Sequence, residues 1–310
     1  MSHYAKIVLD SEPNINIRLQ KNDTFLRHRL EAKMSDPNRT IAVTNQKGGV
    51  GKTTSVLNLA VALHTAGKKV LMIDNDHQGN LTAAVGLTPA EQKYTLANLL
   101  LTVIDSPEDI DLQIYRVLLH IKEGLDLIPA NKRLADAAAR LQVMRISQYN
   151  TLGNQERHCE KMMDNLLVSL KDRYDYVIID CGLQHELLTV NALVASDYCI
   201  IPVQAHFLAS EGIPDVLDMV RSIQSSFNPK LQIAGILLTM YQSRPQLCQS
   251  VRESVGEAYG ENFRVFERPI EYSIKVAECP AAGTSIFEHA PKNAAAESYR
   301  SLAEEVLRLG

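Results

Sequence analysis

One stretch constrains this chain more than any other: Thr44-Asn-Gln-Lys-Gly-Gly-Val-Gly-Lys-Thr-Thr54. It runs from an apolar, β-branched strand pattern, Thr40-Ile-Ala-Val-Thr-Asn45, into an amphipathic helical pattern over residues 52–66, the setting that a phosphate-binding loop requires. Gly48, Gly49 and Gly51 let the backbone turn tightly around Val50 and aim its N–H groups at phosphate oxygens, and the following helix N-terminus adds partial positive charge. Lys52 is spaced to sit on β and γ phosphates, Thr53 to place its hydroxyl on Mg²⁺, and Thr54 to support the α phosphate. The strict pattern G-x-x-x-x-G-K-[ST] fails at its first position, Gln46, and the loop carries instead a second lysine, Lys47. Lys47 is too near its own loop backbone to reach the same phosphates easily, so its spacing suits a reach across a subunit boundary.

Downstream, short apolar runs at 69–73, 126–128, 176–180, 198–202 and 233–239 alternate with helical patterns near 132–146, 154–172, 187–195, 209–226, 245–259 and 294–309. That alternation predicts an α/β fold: a doubly wound, mainly parallel sheet with helices on both faces. The body is expected over residues 39–310, preceded by an extension, 1–38, in which charges mix without a clean period and Phe25–Met34 suits a short helix. That head reads as a packed appendage or as a contact for DNA or a partner, and it is too short for a complete helix-turn-helix domain. With 32 basic and 36 acidic side chains the net charge is −4, which excludes a histone-like binder and leaves nucleic-acid contact to a local patch. No run of 18 apolar residues occurs and the N-terminus lacks a signal-peptide pattern, so a cytoplasmic protein is expected. The five cysteines include no C-x-x-C pair and read as reduced, mostly buried thiols.

Three carboxylates complete the candidate site. Phosphoryl transfer to water requires charge neutralisation at the β,γ bridge and an oriented nucleophile. Asp180 ends the apolar strand Tyr176–Asp180 and is placed to hold a Mg²⁺-bound water, and Asp74 and Asp76 end the second strand at the sheet edge where such folds bind ligands. Strand alternation puts Asp74 and Asp76 on one side and Asn75 on the other. Either of the pair also suits a plain cap of the following turn.

Lys47-Gly-Gly-Val-Gly-Lys-Thr-Thr54 resembles the deviant Walker A motif of the ParA/MinD family of P-loop ATPases, and the full run resembles its ParA/Soj branch. Val70-Leu-Met-Ile-Asp-Asn-Asp-His-Gln-Gly-Asn80, Tyr174-Asp-Tyr-Val-Ile-Ile-Asp-Cys181, Thr189–Tyr198, Ile200–Ala205, Gly235–Tyr241 and Asp126–Asn131 resemble family blocks in the same order, covering about residues 40–309. The resemblance implies Mg²⁺-dependent ATP hydrolysis, with Asp76 on the attacking water and Asp74 on the Mg²⁺ and switch region. It also implies an ATP-sandwiched homodimer in which Lys47 reaches the partner's nucleotide. The ParA branch further implies partition of DNA: non-specific binding to double-stranded DNA, hydrolysis triggered by a ParB-like centromere-binding protein, and nucleoid association in the ATP state. Arg221, Arg244 and Arg252 sit where relatives carry DNA contacts, within a stretch, Arg221–Lys275, of seven basic residues and five glutamates, a net of +2 that equally suits a mixed solvated surface. The acidic, early-ending tail, Ser298–Gly310, looks like a packed helix, not the membrane-binding helix of MinD-like relatives.

Two departures stand out. Gly182-Leu-Gln-His-Glu186 replaces the family's usual Pro-Pro-Ser or Pro-Pro-Gly after the second carboxylate strand, which puts the hydrolysis rate and its stimulation in question. His77 replaces the proline that usually follows Asp76 and reads as a solvated loop histidine. The alternative function is a nucleotide-switched regulatory or positioning ATPase for a non-DNA cargo.

Overall fold

The computed structural model describes residues 38–150, 158–183, 186–206, 212–242 and 246–309. The head, Arg244 and the Gln184–His185 part of the altered loop lie outside the described residues. The first apolar run forms β1 (Arg39–Val43), and the phosphate-loop sequence then leads into α1 (Lys52–Thr65). After these come β2 (Val70–Asn75), α2 (Asn80–Ala84), α3 (Leu96–Asp105), α4 (Ile110–Val117), β3 (Leu119–Lys122), β4 (Leu125–Ile128) and α5 (Leu134–Asn150). The second half runs α6 (Met162–Val168), β5 (Tyr176–Cys181), α7 (Glu186–Val194), β6 (Tyr198–Gln204), α8 (Ile213–Ser226), β7 (Gln232–Thr239), α9 (Gln246–Tyr259), α10 (Ile274–Ala282), α11 (Ile286–His289) and α12 (Ala294–Leu307).

The strands form one seven-stranded sheet in the order β3-β4-β2-β5-β1-β6-β7, parallel throughout except for β3, which pairs antiparallel with β4. β2 and β5 are buried at every residue, and strands covered on both faces show no polar side in sequence. Alternate residues feed two separate cores. Ala42, Leu71, Ile73, Val177 and Ile179 pack with residues of α3 and α5–α8, whereas Ile41, Val43, Val70, Met72, Tyr176 and Ile178 pack with α1 and α12. The C-terminal helix buries Tyr299, Leu302, Ala303 and Val306 in this second core, so it is a layer of the fold. No helix among the described residues is long and apolar enough to cross a membrane. All five cysteines are buried and unpaired.

The helix expected over 154–172 contracts to α6, with single tight turns at Cys159–Lys161 and Lys171–Arg173 on either side. The strand β3 and the helices α2, α3, α4, α10 and α11 go beyond the elements expected from sequence. They are short or mixed in pattern: β3 spans four residues, and α3 is announced chiefly by the reciprocal cap between Thr95 and Asn98.

Candidate nucleotide site

Parallel pairing in register sets the site. β1 lies between β5 and β6, and β5 lies between β1 and β2, so the loops leaving β1, β2 and β5 gather at one edge of the sheet. Asp180 pairs with Val43 on one side and with Asp74 on the other, which brings the two carboxylates side by side in a dry strand layer.

The loop after β1 is pinned before it reaches α1. Asn45 donates its side-chain amide to Pro202 O at 2.8 Å and accepts the Lys47 backbone N–H at 2.9 Å. Gly212 lies so close that a Cβ there would stand 2.6 Å from Asn45 Oδ1. Farther along, Thr239 at the end of β7 donates its hydroxyl to Val50 O at 2.9 Å. Gly49 and Gly51 take φ of 73° and 83°, the left-handed region in which only glycine is unstrained. Gly48, Lys47, Thr53 and Thr54 keep partial or full exposure. Lys52 is buried and donates its ammonium to Lys47 O at 2.9 Å. Burial pulls its pKa below the ordinary lysine value, an effect that Asp180, Cys181 and Asp76 partly offset.

The three carboxylates differ in environment. Asp180 is fully enclosed, and among the described residues no group meets hydrogen-bond geometry with either of its oxygens, although the nearby Thr53 hydroxyl favours the ionised form. Burial, reinforced by the Asp74 charge, lifts its pKa well above the usual carboxylate range. Asp74 is equally buried but engaged: its Oδ2 accepts Thr82 N–H at 2.8 Å and the Thr82 hydroxyl at 2.7 Å, and its Oδ1 accepts Asp76 N–H at 3.2 Å. Desolvation nonetheless raises it to about 6. Asp76 sits at the rim, its Oδ1 accepting Gln78 N–H at 3.1 Å and facing His77 Nδ1 at 3.3 Å.

Sequence expectations divide accordingly. Lys52, Thr53 and Asp180 come together, and Asp76 joins them at the same edge. Asp74, expected on the Mg²⁺ and switch region or as a cap of the following turn, has its oxygens engaged by Thr82 and by the Asp76 N–H, in the turn after β2. His77 is not a solvated loop residue, since its side chain is 12% exposed and packs on Asp76. Arg221 on α8 pairs with Asp218 at 3.0 Å, and Arg252 on α9 donates to Glu267 O at 3.1 Å, so both proposed DNA contacts have partners within the chain. Asn45, Thr82, Thr239 and Gly212 are structural members of the site that sequence reasoning missed. Their only signal is a small or polar residue near the end of an apolar run, because each acts on a partner distant in sequence. Thr82, for example, also accepts Ala130 N–H at 2.9 Å.

A family model described as AAA domain matches residues 38–233. The sporulation initiation inhibitor protein Soj of Bacillus subtilis (strain 168) is 38% identical over 272 residues, covering 88% of this chain and 99% of that one. The chain belongs to the ParA/Soj family of partition ATPases. Another member, the chromosome partitioning protein ParA of Caulobacter vibrioides (strain NA1000 / CB15N), is 33% identical over 277 residues, covering 88% of this chain and 95% of that protein. Among solved structures, cobyrinic acid a,c-diamide synthase from Mycobacterium smegmatis with bound ATP analogue and magnesium superimposes with a TM-score of 0.70 at 31% identity, covering 87% of this chain and 95% of that one.

Proposed function

We propose that this ParA/Soj-family chain is an ATP-driven DNA-partition protein whose bound nucleotide sets its oligomeric state and its hold on DNA. The observation that carries the reading is Asp180: a buried carboxylate with two unpartnered oxygens, beside the Thr53 hydroxyl and the buried Lys52 ammonium, at the end of a strand next to a glycine-rich loop. An acidic group left unpaired in a dry site is costly unless a cation completes it. A hydroxyl and a carboxylate are the hard oxygen donors that Mg²⁺ prefers, directly or through water. The presence of magnesium and an ATP analogue in a solved structure 31% identical to this chain supports the same assignment.

In this reading Thr53 and Asp180 hold Mg²⁺, which when bound neutralises charge across the β,γ bridge. The N–H groups of residues 48–54 and the Lys52 ammonium bind the ATP phosphates, and the glycines allow the close backbone approach. Asp76 orients the attacking water. Asp74 acts through Asp76, whose backbone N–H it accepts, and through Thr82, both of which fix the turn after β2. Lys47 reaches the nucleotide of a second copy, closing a sandwich dimer. Dimerisation doubles the contribution of the weakly basic stretch 221–275, giving salt-sensitive, sequence-independent binding to duplex DNA in the nucleoid. A ParB-like partner then triggers hydrolysis and release. The similarity to a chromosome partitioning protein supports partition as the process served.

Light scattering after size exclusion tests the cycle. The wild-type chain is expected to be a dimer with ATP and Mg²⁺ and a monomer with ADP, Lys47→Ala a monomer in both, and Asp76→Ala a persistent ATP dimer without turnover. A mass unchanged by ATP would remove the dimer cycle. The internal pairing of Arg221 and Arg252 favours a second reading, a nucleotide switch for a non-DNA cargo, which predicts ATP-dependent dimers that ignore DNA.

A further inference from the structure

The backbone that leaves β5 passes Asp76 at a distance no side chain would permit. A Cβ at Gly182 would lie 2.9 Å from Asp76 Cγ, 3.0 Å from its Oδ1 and 3.1 Å from its Cβ. Gly182 is not in the left-handed region, so a side chain added here would cost space and not backbone conformation. The same backbone is tied to the residue before Asp76: Gly182 N–H donates to Asn75 O at 3.4 Å, and Asn75 donates its side-chain amide to Leu188 O of α7 at 2.9 Å. Asn75 is buried, and its Oδ1 has no partner. On its other side the segment runs beside the phosphate loop. Leu183 is 49% exposed, yet its Cδ1 lies 3.4 Å from where a Cβ of Gly48 would stand. The segment Gly182–Leu183 therefore lies against Asp76 at one residue and beside Gly48 at the next.

We propose that Gly182 and Leu183 form a strap that fixes the Asp76 carboxylate relative to the phosphate loop, with Gly182 as the positioning residue. The proposal rests on the reading of Asp76 as the group that orients the attacking water. Any side chain at 182 must push the Asp76 carboxylate off its place, and a displacement of about 1 Å in such a group costs on the order of a hundredfold in rate while leaving phosphate contacts alone. Trimming Leu183 frees the strap from Gly48 without adding bulk near Asp76, so its effect has the same sign and is smaller.

Steady-state ATP turnover, binding of a fluorescent ATP analogue and thermal melting on the full chain test this with Gly182→Ala, Leu183→Ala and Asp76→Ala. The expected result for Gly182→Ala is a kcat lower by about tenfold or more, with KM and analogue Kd within about twofold of wild type, because the group displaced acts in the transition state and not in nucleotide binding. Leu183→Ala is expected to lower kcat by about threefold at an unchanged melting temperature. A Gly182→Ala protein with wild-type kcat, or with a loss that appears equally in analogue Kd, would overturn the strap. Should Gly182→Ala fail to fold, Leu183→Ala decides alone, because a half-exposed side chain can be trimmed without unfolding the protein, and an unchanged kcat there overturns the proposal. Turnover persisting in Asp76→Ala would overturn the underlying reading, and the strap with it. An inactive Asp76→Ala beside a fully active Gly182→Ala would remove the strap alone.

Discussion

At the scale of residues, the site is governed by two buried carboxylates placed side by side by strand register, Asp74 against Asp180. Burial raises both, offset at Asp74 by hydrogen bonds from Thr82 and Asp76 and at Asp180 by the Thr53 hydroxyl and the Lys52 charge. A carboxyl group whose folded pKa lies above its unfolded value binds protons more tightly in the native state, so native stability falls as pH rises between the two values. For Asp74 that window runs from the ordinary aspartate value of 3.8 to about 6. Two pK units correspond to roughly 3 kcal/mol at most. Thermal melts of the nucleotide-free protein in a chelating buffer should therefore show wild type losing ground against Asp74→Asn as pH is raised from about 4 to about 6.5. Parallel profiles for the two proteins would mean that Asp74 titrates normally. Lys52, Thr53 and Asp180 were legible in sequence because each belongs to a contiguous motif whose spacing carries the chemistry. Thr82 was not, since its meaning arises only when its hydroxyl bridges Asp74 and the backbone of Ala130, 48 positions away. The same holds for Gly182: its sequence shows an altered loop, and only the fold shows that the alteration abuts Asp76.

At the scale of elements, the parallel strands were readable because continuous apolar runs leave few alternatives to burial on both faces. Of the additional elements, β3 and α2 were hidden because a four-residue strand and a five-residue helix are specified by caps and packing more than by periodicity, whereas α3 and α4, of ten and eight residues, are simply absent from the sequence reading. The sharp turn that delivers Asp76 into α2 depends on Gly79, at φ 69°, where a Cβ would stand 2.7 Å from Pro89 Cβ and 2.9 Å from Ala130 O. The last helix gives the clearest energetic test. Tyr299 on α12 is among the largest fully buried side chains and belongs to the core beneath α1. Tyr299→Ala should destabilise the protein by about 3–5 kcal/mol in urea unfolding, the range for large-to-small changes at buried aromatics. A loss below about 1 kcal/mol would make α12 a peripheral tail and reopen the question of what it binds.

At the scale of the whole molecule, the proposed function has a chain of net charge −4 holding a polyanion. Its counted basic residues are partly neutralised at home, Arg221 by Asp218, Arg268 by Glu297 and Lys275 by Glu278, so one copy offers a weak patch. Weak patches gain most from being doubled, because linking two binding surfaces turns the second contact into an intramolecular one. Nucleotide control of dimerisation would then become control of DNA binding, and that coupling is the central claim. Its most direct test is a mobility shift on long duplex DNA of unrelated sequence with ATP, with ADP and without nucleotide, at about 50 mM and about 200 mM salt, a span over which phosphate-dominated binding falls steeply. The account predicts a shift with ATP alone, lost in Lys47→Ala and strongly weakened at the higher salt. Binding that is equal in all three nucleotide states, or absent from all of them while ATP is still bound, would contradict it.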